Sequence, residues 1–197
     1  VHTAGYTVLT GTNSYTGGTT VSGGLINFDA AENFGTGNIT LNGGGLAWAT
    51  GTTTDISSKL NALGANGGVF DTNGNNVTFI SALSGTGSLT KTGAGVLTLT
   101  GANGYSGGTT VSGGLINFNG ANNFGAGAAN ITLDGGGLQW AALNTTDISL
   151  RLAALGANGG TVDTNGNDVS FANALSGVGG LTKTGTGVLT LNGANIY

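Results

Sequence analysis

Apolar and polar residues alternate along most of this chain in short runs. Val96, Thr98 and Thr100 interleave with Leu97 and Leu99, and Ile131 and Leu133 flank Thr132, the period-two pattern of strands that bury one face. The segments GVLTLTG (95–101), GGTTVSGGLINF (107–118), NITLDGGGLQW (130–140), GGTVDTNGNDVSF (159–171) and GLTKTG (180–185) share one form. Each is a run of β-branched, aromatic or Leu residues between clusters of Gly and Asn. Helical spacing is confined to TDISSKLNALGA from Thr54 and TDISLRLAALGA from Thr146. There Ile148, Leu152 and Leu155 share one helical face, Thr146 or Asp147 caps the start and Gly156 stops the end. The pattern predicts one short helix per unit, outside a stack of strands.

The pattern also repeats. GGTTVSGGLINF at 17–28 returns at 107–118, Tyr15 returns as Tyr105 and Tyr197, Trp48 as Trp140, Asp55 as Asp147, and LGANGG at 63–68 returns at 155–160. The spacing grows from 90 residues between Tyr15 and Tyr105 to 92 between Trp48 and Trp140, because GTGNITL at Gly35 becomes GAGAANITL at Gly125. Units that absorb an insertion and keep their phase elsewhere are stacked modules whose loops vary independently. The first unit covers about 7–96, the second about 97–188, and a third begins over 189–197. The chain is thus one repeat segment, expected to be part of a longer protein.

A module of three or so short strands cannot close a core, but coiled modules bury a continuous apolar column. A parallel β-helix of about 20 residues per coil and about 4.8 Å per layer gives roughly nine or ten coils and about 45 Å of length. Asn and Thr suit such a stack because each can hydrogen-bond to its copy in the next layer. The competing architecture is an antiparallel sandwich or propeller, since Asn73-Gly74 and Asn165-Gly166 fit hairpin turns. Turn lengths are too irregular for that, and no blade signature recurs. The predicted fold class is all-β, a parallel β-helix.

Composition narrows the functional classes. Gly accounts for 42 of 197 residues, yet 38% of the chain is hydrophobic and only 6% charged, which is not the balance of a disordered chain. Pro is absent, which excludes collagen. Four basic and eight acidic side chains give a net charge of −4, so no face carries the basic field that nucleic acid or anionic lipid requires. Cys is absent, leaving no disulfide or thiolate metal site. Zero Cys and zero Pro suit a chain that crosses a membrane unfolded. No apolar run of about 18 residues is present, so this segment is not expected to insert into a bilayer, and no signal-like segment opens it at Val1.

The stretch GTGSLTKTGAGVLTLTGANGYSGGTTVSGGLINF from Gly85 resembles the autotransporter-associated β-strand repeat of type V secreted passenger domains. The resemblance rests on Leu89 to Gly93 (LTKTG), Leu97 to Gly101 (LTLTG), then Asn103, Tyr105 and GGTTV at 107–111. It recurs at 181–197 and, more weakly, at 7–21, where Thr7 stands in the place of Leu97. The resemblance implies a right-handed parallel β-helix, exported through an outer-membrane barrel and found extracellularly or on the surface of a Gram-negative cell.

Several strings carry candidate chemistry. GYSGG at 104–108 satisfies G-x-S-x-G around Ser106, but the only His is His2, and Thr16 replaces Ser106 in the first unit, so a β-turn is the better reading. Paired carboxylates would suit a polysaccharide-acting enzyme. Asp71 with Asp163 and Asp55 with Asp147 recur one unit apart, too far to share a glycosidic bond, while Asp134 and Asp168 are unmatched. Asp55 and Asp147 are expected as caps, and Asp71 and Asp163 as the openings of DTNGN turns. The alternating oxygens of Asp71, Asn73, Asn75 and of Asp163, Asn165, Asn167 are weak calcium candidates without the distal Glu of an EF-hand; no other cofactor is expected. Thr-x-Thr pairs such as Thr98 and Thr100 suggest an ice-binding array, but Val8 and Asn192 interrupt it. Trp48, Trp140, Tyr15 and Tyr105 are candidate sugar-stacking aromatics.

The expected function is structural or adhesive and non-enzymatic: a passenger stalk that associates end to end or side by side, forms biofilm, or binds host or matrix glycans or proteins. A polysaccharide lyase or hydrolase and a calcium-stiffened matrix filament are the alternatives.

Overall fold

A computed structural model describes residues 1–126 and 131–197; the insertion that lengthens the second unit falls in 127–130, outside the described residues. The strands are β1 (Tyr6–Leu9), β2 (Thr19–Val21), β3 (Leu25–Phe28), β4 (Ile39–Leu41), β5 (Gly45–Trp48), β6 (Gly68–Asp71), β7 (Val77–Phe79), β8 (Leu89–Thr92) and β9 (Val96–Leu99). They continue as β10 (Thr109–Val111), β11 (Leu115–Phe118), β12 (Ile131–Leu133), β13 (Gly137–Trp140), β14 (Gly160–Asp163), β15 (Val169–Phe171), β16 (Leu181–Thr184) and β17 (Leu189–Leu191). Every pairing among them is parallel. The chain is a parallel β-solenoid of about nine coils, whose rungs are offset by 19 residues (Tyr6 to Leu25) to 24 (Gly45 to Val69).

Two long sheets form two sides of the solenoid, one in the order β1-β3-β5-β6-β8-β10-β12, the other β7-β9-β11-β13-β14-β16. The third side is more irregular, with the short pairs β2-β4 and β15-β17 and isolated bridges such as Leu63 to Gly85. Four rungs up the first sheet from β3 lie β5, β6, β8 and then β10. The sequence copy of β3, however, is β11, which lies in the second sheet. A unit is therefore four coils plus one side, and each unit is turned by one side relative to the unit before it. The DTNGN segment makes one of the corners between the two long sheets. Asn73 and Gly74 have φ of +48° and +84°, and Asn165 and Gly166 repeat this with +49° and +82°, the left-handed pair of a tight turn. The turn joins β6 to β7 across a corner, in different sheets, so the hairpin chemistry is present without a hairpin.

Period-two alternation sets which residues enter the core. Phe28 and Trp48 stack in register on one side, and Leu99, Phe118 and Trp140 on the other. Phe34, Phe28, Trp48, Phe79 and Phe70 form a chain of ring contacts at centroid distances of 4.9–5.8 Å, and Phe124, Phe118, Trp140 and Phe171 repeat most of it at 4.8–5.8 Å. Such edge-on pairs stabilise beyond the area they bury. Among the described residues no buried side-chain nitrogen or oxygen lacks a partner. The Asn side chains supply many of these bonds: Asn103 Nδ2 donates to the Asn123 carbonyl at 2.6 Å while its Oδ1 accepts from Leu83 N–H at 2.6 Å.

The helix expected over 54–65 and 146–157 is a correction. Each copy holds only a three-residue 3-10 turn, Ser57–Lys59 or Ser149–Arg151. A second 3-10 turn occurs per unit at Ala31–Phe34 and Ala121–Phe124. Ile56 and Leu63 do face the core, but as a chain turning a corner: Leu60 bridges to Ile39 and Leu63 to Gly85. Bridging to neighbouring coils satisfies backbone groups that an isolated helix of this length would leave marginal. Gly156 ends no helix. A Cβ there would lie 2.4 Å from the Asp134 carboxyl carbon, so it is glycine because the coil beneath approaches it closely.

Candidate binding surface

With the apolar side chains turned inward, the outward positions of the strands form rows running up each side. On the second sheet one row reads Thr78, Thr98, Asn117, Gln139, Asp163 and Thr184, each in register with the next. Asn117 Nδ2 donates to Gln139 Oε1 at 2.9 Å, and Gln139 Nε2 donates to Asp163 Oδ2 at 2.8 Å. The result is a connected polar ladder over three rungs. In the first unit Ala47 stands in place of Gln139, and Asn27 Nδ2 donates instead to the Ala47 carbonyl at 3.2 Å. The ladder is thus particular to the second unit, and the period-two pattern alone gave no sign of it.

The DTNGN residues are engaged in turns and in contacts to the preceding coil. Asp71 Oδ1 accepts from Asn73 N–H at 2.9 Å, Asn73 Nδ2 donates to the Trp48 carbonyl at 3.0 Å, and Asn75 Nδ2 donates to Ala49 and Thr72 carbonyls at 3.0 and 2.8 Å. In the second unit Asp163, Asn165 and Asn167 repeat these bonds to Asn165 N–H and to the Trp140, Ala141 and Thr164 carbonyls. The amide nitrogens donate into the coil, so these side chains tie each turn to the layer before it. Asp55 Oδ1 accepts from Ser57 N–H at 2.8 Å and its Oδ2 from Ile80 N–H on the next coil at 3.1 Å. Asp147 does the same with Ser149 at 2.8 Å and Ala172 at 2.9 Å. Burial acts to raise the Asp147 pKa, but the hydrogen bonds from Ser149 and Ala172 outweigh it and hold the carboxyl below its ordinary value.

Three of the four candidate stacking aromatics are corrected. Trp48, Trp140 and Tyr105 are fully buried, so no sugar face can reach them. The indoles cap their own loops, with Nε1 donating to the Thr54 and Thr146 carbonyls at 2.9 and 3.0 Å. Tyr105 OH shares a 2.6 Å bond with Thr109 Oγ1. Tyr15, 40% exposed, keeps the equivalent bond to Thr19 at 3.0 Å. Ser106 is exposed on its turn, while His2 bridges to Val21 many coils away, so the two do not meet.

Lys91 is the polar residue that motif reading passed over. It alternates inward with Leu89 and is fully buried. Its Nζ donates to the carbonyls of Thr92 (2.7 Å), Gly93 (2.7 Å) and Gly113 (3.0 Å). Burial lowers its pKa to about 8, against the opposing pull of Asp71. The period-two register of LTKTG was the available signal, since it puts Leu89 and Lys91 on the same side.

The passenger-associated-transport-repeat description matches residues 4–27, 89–118 and 181–197. Over 94% of its length the chain is 32% identical to the adhesin BmaC autotransporter of Brucella suis biovar 1 (strain 1330), of which it spans 6%. No solved structure matches the chain.

Proposed function

The chain carries the passenger-associated-transport repeats of autotransporter passenger domains, and from that premise we propose that this β-helical segment is a non-enzymatic adhesive shaft, displayed on or released from a Gram-negative cell. The observation that carries this reading is where the two units differ. Core positions are kept: Ile26 and Ile116, Phe28 and Phe118, Leu46 and Leu138, Trp48 and Trp140, Phe79 and Phe171 are identical pairs, with Phe70 and Val162 an exception. Exposed or half-exposed positions have changed, from Ser58 to Leu150, Val69 to Thr161 and Ile80 to Ala172, and the buried Ala47 gives way to a half-exposed Gln139. A framework held constant beneath a varied exterior suits a protein whose work is done by its surface.

The one-side turn per unit supports the same reading, because successive units present their variable rows in different directions around the shaft. Many weak polar contacts, spread around a rod of low charge, add by avidity. The similarity to an adhesin supports attachment as the biological role. Association of the shaft with copies of itself, side by side or end to end, and a part in biofilm formation belong to the same proposal.

The test is attachment. Beads coated with the folded chain should adhere to host-cell monolayers or to extracellular matrix more than beads coated with heat-unfolded chain, and soluble chain should compete. Adhesion equal to the unfolded control overturns the adhesive reading; sedimentation that shows only monomer at rising concentration overturns self-association.

A further inference from the structure

Asn is followed by Gly eight times in this chain, the dipeptide most open to succinimide formation because no side chain shields the glycine amide. At Gly43, Gly67, Gly74, Gly159 and Gly166 a left-handed φ of +73° to +106° requires the glycine. Gly193 is required by packing, since a Cβ there would lie 2.3 Å from the Ala174 nitrogen. Gly104 answers to neither reason. Its φ lies outside the left-handed region, a Cβ on it would meet nothing within 4 Å, and its counterparts in the neighbouring units are Ser14 and Ile196.

The residue before it is a joint of the stack. Asn103 is buried between two coils, with Oδ1 accepting from Leu83 N–H on one side and Nδ2 donating to the Asn123 carbonyl on the other, both at 2.6 Å. Gly104 N–H itself donates to the Leu83 carbonyl at 2.8 Å. The joint recurs in the other units: Asn13 Nδ2 donates to the Asn33 carbonyl at 2.7 Å, and Asn195 Oδ1 accepts from Leu175 N–H at 2.7 Å. Of the three copies, Asn103 is the one that glycine follows.

We propose that Asn103-Gly104 is a spontaneous modification site held shut by the stack. In the reaction the Gly104 nitrogen loses its proton and attacks Asn103 Cγ, the bond from Cγ to Nδ2 breaks, and ammonia leaves with the proton. Water then opens the succinimide to aspartate or isoaspartate. While the coils are stacked, the Gly104 N–H is engaged and the Asn103 amide is held from both sides, so the ring does not close. Separation of the coils releases these bonds together. The product does not fit back: a carboxylate lacks the N–H that the Asn123 carbonyl accepts and brings a charge into a buried place, and isoaspartate adds a methylene to the backbone. Asn119-Gly120 is the internal contrast. Gly120 N–H donates to Asn123 Oδ1 at 3.1 Å, and the first unit already carries Asp29 in place of Asn119, with its N–H bonded to Asn33 Oδ1 as that of Asn119 is to Asn123 Oδ1. Conversion to aspartate there yields a residue the fold accepts, whereas conversion at Asn103 loosens the second unit permanently. Nothing in this chemistry depends on what the shaft binds.

The experiment is peptide mapping by mass spectrometry, with enzymatic methylation to mark isoaspartate, of folded chain and of chain held in urea, both aged at mildly alkaline pH. In urea Asn103 should convert together with the other Asn-Gly sites; in the folded chain its conversion should be slower by on the order of a hundredfold or more. Gly104→Ser installs the residue of the first unit, so it should keep the melting temperature of the parent chain and suppress conversion at Asn103 in urea. Asn103→Asp reproduces one product and should lower the melting temperature by several degrees or prevent folding, whereas Asn119→Asp should leave it unchanged. The proposal is overturned if Asn103 converts as fast in the folded chain as in urea, if Asn103→Asp is no less stable than Asn119→Asp, or if Gly104→Ser melts lower than the parent chain or still converts as readily at Asn103.

Discussion

Lys91 Nζ donates to the carbonyl oxygen of Gly113, on the next coil, at 3.0 Å. A buried ammonium thus joins successive layers of the solenoid at a corner, held by carbonyl dipoles alone and without a hydrogen-bonded carboxylate among its partners. Desolvation is the dominant cost of this arrangement, and it leads to an unusual pH dependence.

Stability should rise as the solution becomes alkaline, then fall. Below about pH 8 Lys91 is protonated in both states and the full cost of burying its charge is present. Between 8 and the ordinary 10.5 the folded chain has lost that proton and the unfolded chain keeps it, so stability increases with pH, by on the order of 3 kcal/mol if the whole shift is expressed. Tyr105 acts in the opposite direction. Burial raises its pKa from 10.0 to about 12, partly offset by the Thr109 bond and by Arg151, so its contribution is lost from pH 10 upward as the unfolded chain ionises. Urea midpoints measured from pH 7 to 11 should peak near 10, and Lys91→Met should abolish the rise. A flat or falling profile between 8 and 10 would refute the assignment.

Trp140→Ala should cost about 3–5 kcal/mol, the usual range for emptying a large aromatic site. The indole packs at 4.8 Å from Phe118 and 5.8 Å from Phe171, and its N–H caps the Thr146 carbonyl. Chemical denaturation would detect this; a loss below about 1 kcal/mol would mean that the aromatic column is not what holds the layers together.

Leu143→Gly should stabilise the fold by up to about 1 kcal/mol, the net of relieving left-handed strain and of adding glycine's freedom to the unfolded chain. Leu143 has φ of +64° and is 96% exposed, and its counterpart in the first unit is Gly51 at +80°. If thermal melting shows the variant less stable, Leu143 makes a contact that its exposure conceals.

Calcium should leave the melting temperature unchanged, and so should a chelator. Oxygens of these turns already accept backbone N–H groups, Asp71 from Asn73, Asp163 from Asn165 and Asn75 from Gly51, and so compete with cation ligation. A rise in melting temperature with calcium, reversed by chelation and lost in Asp71→Asn with Asp163→Asn, would restore the metal-stiffened alternative.

The repeat, the strand alternation and the Gly- and Asn-rich corners were legible in the sequence because each obeys a local rule: period-two burial, positive φ at Asn-Gly, and duplication of the text. So were the inward aromatics, to the extent that constant position within a repeat signals packing. The expected helix failed because Ile56, Leu60 and Leu63 have helical spacing, yet Leu60 and Leu63 bridge to neighbouring coils more than 20 residues away. Local spacing carries no information about such partners.

The phase of the stack was decided only in three dimensions. Sequence gives a period of 90 to 92 residues and a coil of about 20, but whether one is a whole multiple of the other depends on the offset of each rung, which runs from 19 to 24 residues. A unit takes four coils plus one side, so that β3 and β11, alike in sequence, stand in different sheets. Register between coils then puts Asn117, Gln139 and Asp163 into one row. The residues that build the interior are set by side-chain alternation along the chain; those that meet on the exterior are set by register between coils, which no single stretch of sequence contains.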